Sequence, residues 1–197
     1  MSPKRAQSLQ DLQPRLIVIS APSGAGKTTL CEMVLKEFPN IRLSVSTTTR
    51  ERRPYEKHGV HYFFVSRDDF KRLVGQGEFA EWAQVHGNCY GSSRTQIEKA
   101  LAEGRHVLFD IDVQGAMSLL KSFGDRVLLV FVHPPSMKDL KGRLVERKGD
   151  SETAIETRMR NAYNEVGWSQ RFDYQIVNDK LDRAYQELKT ILERECR

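Results

Sequence analysis

The chain of 197 residues is predicted to be an α/β protein: a phosphate-loop core with a five-stranded parallel sheet covered by helices on both faces, an inserted β-rich lobe and a helical lid. Three observations carry this prediction. Five short apolar runs, 15–20, 41–46, 106–111, 127–132 and 174–178, alternate with helical patterns, and strands separated by helices build parallel sheets buried on both faces. The first run leads directly into Ala21-Pro22-Ser23-Gly24-Ala25-Gly26-Lys27-Thr28, a glycine-rich turn between strand and helix. Residues 47–93 then interrupt the rhythm with short β-like runs and turns.

Composition bounds the answer. One core with an inserted lobe fits this length. Lys plus Arg number 31 and Asp plus Glu 26, a net charge of +5, which suits an anionic ligand and is too mild to imply nucleic acid by itself. Cys31, Cys89 and Cys196 are scattered, with neither a disulfide framework nor metal-ligand spacing, so a reducing cytoplasm is expected. No apolar stretch approaches the roughly 18 residues of a membrane span. Residues 1–14 lack the apolar centre of a secretory signal and read as a flexible tail, with a short basic presequence as the alternative.

Taken in order, the run 15–20 is the first strand. In the loop after it, Gly24 and Gly26 let backbone N–H groups face inward, Lys27 supplies a charge to the β- and γ-phosphates, and the Thr28 hydroxyl suits Mg²⁺. The position of the usual first glycine is Ala21. The following helix places Leu30, Met33, Val34 and Phe38 on one side. After the run 41–46, Arg50, Arg52 and Arg53 with Lys57 make a phosphate clamp or, equally by composition, an exposed basic loop; Tyr62 and Tyr90 could add hydroxyls. His61–Val65 reads as a strand, and Ser66-Arg67-Asp68-Asp69 as a capping box whose helix stops near Gly75-Gln76-Gly77. Two further strands flank the turn Gly87-Asn88. Glu81, if it faces the cleft, can accept two hydrogen bonds from guanine, at N1–H and the 2-amino group; a lone strand Glu otherwise faces solvent.

Asp110 and Asp112 close the run 106–111, where a parallel strand ends beside the ligand crevice, and period-two spacing puts them on one side if the strand continues. Arg143 and Arg147 lie one helical turn apart. Gly149-Asp150 breaks that helix, and the next carries Arg158 and Arg160 with a packed side of Ile155, Met159 and Ala162. Two arginine-bearing helices around a hinge make a phosphate lid. The last helix repeats Leu181, Ala184, Tyr185, Leu188, Ile191 and Leu192 as a core stripe. His58, His61, His86, His106 and His133 show no ligand or triad spacing and read as structural or surface residues.

In this order and spacing, Ala21–Thr28, Ser44-Val45-Ser46-Thr47-Thr48-Thr49-Arg50, Gly87-Asn88-Cys89-Tyr90-Gly91-Ser92, Asp110-Ile111-Asp112-Val113-Gln114-Gly115 and Ile176-Val177-Asn178-Asp179 resemble guanylate kinase, over nearly all of residues 15–195. The resemblance implies transfer of the γ-phosphoryl group of ATP to GMP or dGMP with Mg²⁺. It divides the chain into a tail (1–14), a core (15–46 and 94–197, the lid at about 143–160) and a GMP-binding lobe (47–93). It implies that Ala21, Pro22, Ser23, Gly24, Ala25, Gly26, Lys27, Thr28, Thr29 and Asn178 serve ATP, with Thr28 on the metal. Arg50, Arg53, Tyr62 and Tyr90 would hold the GMP phosphate, and Ser46, Glu81, Ser92, Asp110 and Asp112 the guanine side. Lys27, Arg50, Arg143, Arg147 and Arg158 would surround the transferring group. Arg52 stands where the family has proline, and Tyr55 where it has glycine. The implied partners are the two nucleotides, with no nucleic acid and no membrane, in a monomer or homodimer. Three other readings stay open: a peptide-binding module of the same fold, a phosphate-loop kinase for another phosphorylated acceptor such as a ribosyl bisphosphate, and a nucleic-acid binder using Arg50–Lys57.

Overall fold

The structure, a computed structural model, describes residues 13–85, 87–146 and 151–196. The chain opens with β1 (Leu16–Ser20), α1 (Lys27–Glu37) and β2 (Ile41–Leu43). Then come β3 (Thr47–Thr48), β4 (Phe63–Phe64), α2 (Arg67–Gly75), β5 (Phe79–Val85), β6 (Asn88–Ser93) and α3 (Arg94–Ala102). It continues with β7 (His106–Asp110), α4 (Val113–Phe123), β8 (Val127–His133), α5 (Met137–Glu146), α6 (Glu152–Trp168), β9 (Tyr174–Val177) and α7 (Leu181–Glu195).

Among the described residues, five strands pair in parallel in the order β2-β7-β1-β8-β9. The central strand explains why its sequence is apolar without alternation. Ile17 and Ile19 enter one core with Leu30, Val34, Leu188 and Leu192, while Leu16 and Val18 enter the other with Phe109, Leu119, Phe131 and Phe172. Both faces are covered, so every side chain of the strand is buried, and the four aliphatic ones are each worth roughly 1.5–3 kcal/mol. The expected doubly covered parallel sheet is thus present, and α1 and α7 bury the predicted stripes on its first face. Leu181 departs from its stripe: it is 39% exposed in the first turn of α7, before the helix settles onto the sheet.

A second sheet, β4-β3-β6-β5, is inserted between β2 and α3. β5 and β6 form an antiparallel hairpin whose turn uses Gly87 at φ 80°, a conformation open to glycine. Ser66 caps α2 by accepting from the Asp69 N–H. The run His61–Val65 narrows to the pair Phe63–Phe64, because its partner β3 is itself two residues long. Likewise the run 41–46 forms a ladder only to Leu43, after which Ser44 N–H reaches Leu108 O at 2.8 Å. β7 ends at Asp110, and Asp112 is the N-cap of α4 rather than a further strand residue; the start of the helix, not period two, brings the two carboxylates together. Leu140 and Leu144 of α5 meet Ala162 of α6, with Ile155 and Met159 alongside, in a small third core. Among the described residues no helix is long and apolar enough to cross a membrane.

His106 opens β7 as a buried side chain, and its Nδ1 accepts the Arg15 N–H at 3.0 Å. Burial, with the Arg15 charge second, lowers its pKa below the ordinary histidine range. The unfolded chain therefore takes up this proton more readily. The stability that neutral His106 contributes is complete above about pH 6.5 and is lost as the pH falls through the lower folded value. Thermal unfolding followed from about pH 7.5 to about pH 5 should show a falling midpoint. His106→Asn, whose Oδ1 can accept the Arg15 N–H without titrating, should fall less steeply.

Candidate active site

The turn between β1 and α1 is shaped by two glycines and by what packs behind them. Gly24 and Gly26 adopt φ of 97° and 92°. A methyl group on Gly26 would also stand 2.3 Å from Asn178 Nδ2, so no other residue fits there. Asn178 Nδ2 donates to Ala25 O at 2.7 Å, and Arg143 of α5 donates to Asn178 O at 3.2 Å. Leu140 and Leu144 of α5 rest against Gly24. α1 begins at Lys27 with no side-chain cap, which leaves the donors of its first turn without a side-chain partner.

β7 brings a carboxylate to this turn. Lys27 Nζ lies 2.8 Å from Asp110 Oδ1 and 2.9 Å from Ile111 O, and Thr28 Oγ1 donates to Asp110 Oδ2 at 3.1 Å. Burial works against the Lys27 charge, but the attraction of Asp110 and its hydrogen bond outweigh it, and the ammonium titrates above its ordinary range. From α6, Glu165 comes within electrostatic reach: burial pushes its carboxyl up to about 7, with Lys27 pulling down and Asp112 pushing up.

The inserted sheet supplies the opposite wall. Arg50 is gripped by Glu56, with Nη2 to Oε1 at 2.7 Å and Nη1 to Oε2 at 3.1 Å, and it lies over the Tyr62 ring at 5.4 Å. Glu56 is only 5% exposed, and its Oε2 also accepts the Arg53 N–H at 2.8 Å, so one carboxylate sets both arginine positions. Its pKa is lowered, first by the Arg50 hydrogen bond. The Arg53 guanidinium donates to Tyr55 Oη at 3.0 Å. Further in, fully buried Ser92 donates to Glu81 Oε1 at 2.6 Å. Burial pushes the Glu81 carboxyl up to about 7; Ser92 opposes the shift and Asp112 adds to it.

These walls enclose two joined cavities. One of about 240 Å³ is lined by Lys27, Thr28, Ser46, Tyr62, Glu81, Tyr90, Asp110 and Asp112. The second, about 710 Å³, shares Thr28, Ser46, Tyr62, Tyr90 and Asp110 with it and adds Arg50, Arg53, Glu56 and Arg158. Ser92 and Asn178 stand behind the lining as supports. Ala21, Pro22, Ser23 and Ala25 form the turn itself, and Thr29 is exposed on α1. Arg147 lies outside the described residues. Sequence patterns carried no signal for Glu56, Glu165 or the Asn178 link, since each depends on packing between distant segments. Within Arg50–Arg53 only Arg50 is partly buried and held by Glu56; Arg52 and Arg53, like Lys57, are exposed.

A phosphate-binding loop with its lysine and threonine at a strand-end aspartate, facing a held pair of arginines across one cleft, defines a phosphate-loop kinase. Comparison with known proteins narrows the class. The guanylate kinase family model matches residues 13–195. The guanylate kinase of Geobacter sulfurreducens is 49% identical over 183 residues, 92% of this chain and 90% of that protein. That of Chelativorans sp. is 46% identical over 180 residues, 91% and 83% of the two. The crystal structure of guanylate kinase from Anaplasma phagocytophilum is similar with a TM-score of 0.78 at 33% identity, covering 93% of this chain and 86% of that one. The chain belongs to the guanylate kinase family, and its reaction is phosphoryl transfer from ATP to GMP.

Truncating Glu56 frees Arg50 from its bidentate partner and leaves the Arg53 N–H unpaired. Glu56→Ala should raise the KM for GMP by roughly 10- to 100-fold while the KM for ATP changes little, measured by coupled ADP formation.

Proposed function

We propose that the small cavity takes the guanine and the larger one the GMP phosphate, and that the turn 21–29 takes the phosphates of ATP. The observation that carries this reading is the convergence of Lys27, the Arg50–Arg53 pair and Glu81 on one continuous cleft. Residues 47–93 are then the GMP lobe and about 143–160 the lid, with core segments on either side. Arg50, Arg53, Tyr62 and Tyr90 hold the acceptor phosphate. Ser46, Glu81, Ser92, Asp110 and Asp112 serve the base side, with dGMP accepted alongside GMP. Asn178 acts on ATP through the loop that it braces.

The donor set near Thr28 fits Mg²⁺. Thr28 Oγ1 and the Asp110 carboxylate offer hard oxygen ligands, and among the described residues no group of three or more His, Cys, Asp or Glu comes together as an all-protein cage. An ion held there would complete its shell with ATP oxygens and water. When bound, it neutralises charge on the transferring phosphates. Thr28 and Asp110 are the residues that would hold it.

The acceptor oxygen of GMP is already anionic, so no general base is needed. Catalysis is positioning and charge neutralisation by Lys27, Arg50, Arg143, Arg147 and Arg158. α5 and α6 cover the loop and keep water from taking the phosphoryl group. The enzyme works in the cytoplasm as a monomer or homodimer.

ADP formation assayed with GMP, dGMP, AMP, CMP, UMP or no acceptor should appear with the two guanine nucleotides only. Lys27→Ala should lower kcat by roughly 10²- to 10³-fold with an unchanged unfolding midpoint. Equal ADP formation with every acceptor would refute the reading.

Guanine N1–H and its 2-amino group need an ionised Glu81. Because the free carboxyl titrates at about 7, GMP binding must expel its proton at lower pH. The KM for GMP should therefore climb as the pH falls below about 7, approaching tenfold per unit. Glu81→Gln should raise the KM at all pH and remove that limb, leaving only the titration of the nucleotide itself.

A further inference from the structure

Gly115 is the third residue of α4 and has ordinary helical backbone, outside the positive-φ glycines. Its N–H is used by the Asp112 cap at 2.9 Å. Nothing in the backbone asks for glycine, and glycine weakens a helix relative to alanine. What asks for it is space. A methyl group here would stand 2.7 Å from Glu81 Oε2, 3.3 Å from its carboxyl carbon and 3.1 Å from Ile111 Cδ1. The other carboxylate oxygen is tied to Ser92, and the side chain is 5% exposed. Glu81 thus lies in a notch of α4, with Ser92 on one side and the bare Cα of Gly115 on the other.

We propose that Gly115 is a specificity-determining positioning residue: its missing side chain lets the Glu81 carboxylate lie where both of its oxygens can meet the guanine edge. The inference rests on the reading of Glu81 as the guanine acceptor. A methyl group at 115 cannot push the backbone of α4 cheaply, because Asp112, Val113 and Ala116 anchor that turn. It displaces the carboxylate instead, the free end of a flexible side chain. Recognition is then lost at whichever guanine donor the displaced oxygen served, and the 2-amino group is the feature that separates GMP from inosine monophosphate, which keeps N1–H and lacks the amine.

The test is a double-mutant cycle of wild type, Gly115→Ala, Glu81→Ala and the double variant. It is read as the ratio of kcat/KM for GMP to that for inosine monophosphate, together with the unfolding midpoint. Gly115→Ala should lower the ratio about tenfold through the KM for GMP, with kcat within about twofold of wild type. In the Glu81→Ala background the same substitution should leave the ratio unchanged. The midpoint should reverse sign: Gly115→Ala lowers it beside Glu81 and raises it once Glu81 is gone, because only the flexible end of Ile111 then has to give, by a few tenths of an ångström, and alanine favours the helix. The double variant folds even if Gly115→Ala alone does not. If Glu81→Ala lowers the ratio and Gly115→Ala does not, or if the two effects multiply, the role of Gly115 is overturned and the guanine reading stands. A ratio unaffected by Glu81→Ala would overturn the guanine reading itself.

Discussion

The parallel pairing of β1 with β7, which sets Ile19 beside Asp110, is the constraint on which the site depends. It delivers a carboxylate to the point where the phosphate turn leaves the sheet, so Lys27 and Thr28 meet Asp110 without any help from the inserted lobe. The ammonium and hydroxyl are thereby fixed on one side of the cleft. The same strand end also directs the next stretch of chain. Ile111 gives its carbonyl to Lys27, Asp112 turns the chain into α4, and α4 packs against β5, where Glu81 sits. One register thus couples the Lys27 end of the cleft to the Glu81 end.

The inserted sheet brings like charges into one place: Arg50 and Arg53 line the larger cavity together with Arg158 and repel one another. Glu56 offsets this repulsion from inside the loop, where a buried carboxylate is tolerable because it has a guanidinium and a backbone N–H as partners. Arg50 also lies over the Tyr62 ring, so an aromatic face and the Glu56 carboxylate together fix the plane of the guanidinium. Tyr55, at the family's glycine position, adds a hydroxyl at the cleft mouth that takes a hydrogen bond from Arg53.

Local features of the chain were readable where local chemistry decides them. The strand–glycine turn–helix order, the five apolar runs and the Ser66 cap all follow from residues within a few positions of one another. Readings failed where a partner far along the chain decides. His61–Val65 is apolar enough for a long strand, yet pairing ends after Phe64 because β3 is short. Asp112 looks like a strand residue until Gly115 N–H turns it into a cap. Glu165 carries no local signal, and only the packing of α6 brings it, half-buried, within electrostatic reach of Lys27. Glu56 and Gly115 carry no pattern at all, since their reasons are Arg50 and Glu81.

Asn178 shows how a remote segment can brace the turn from behind. Its amide nitrogen fills the space above Gly26 and holds the Ala25 carbonyl, its own N–H is fixed by His133 O, and its carbonyl receives Arg143. Three elements, the end of β8, the end of β9 and α5, therefore converge on one residue behind the phosphate turn. A carbonyl in that turn that rotated inward would oppose a phosphate with its negative end. Keeping the Ala25 carbonyl engaged outward keeps the turn's N–H groups facing the cleft. Arg143 thus ties α5 to the same residue that braces the turn, and Leu140 and Leu144 of that helix pack against Gly24, so the position of α5 and the shape of the turn are set together.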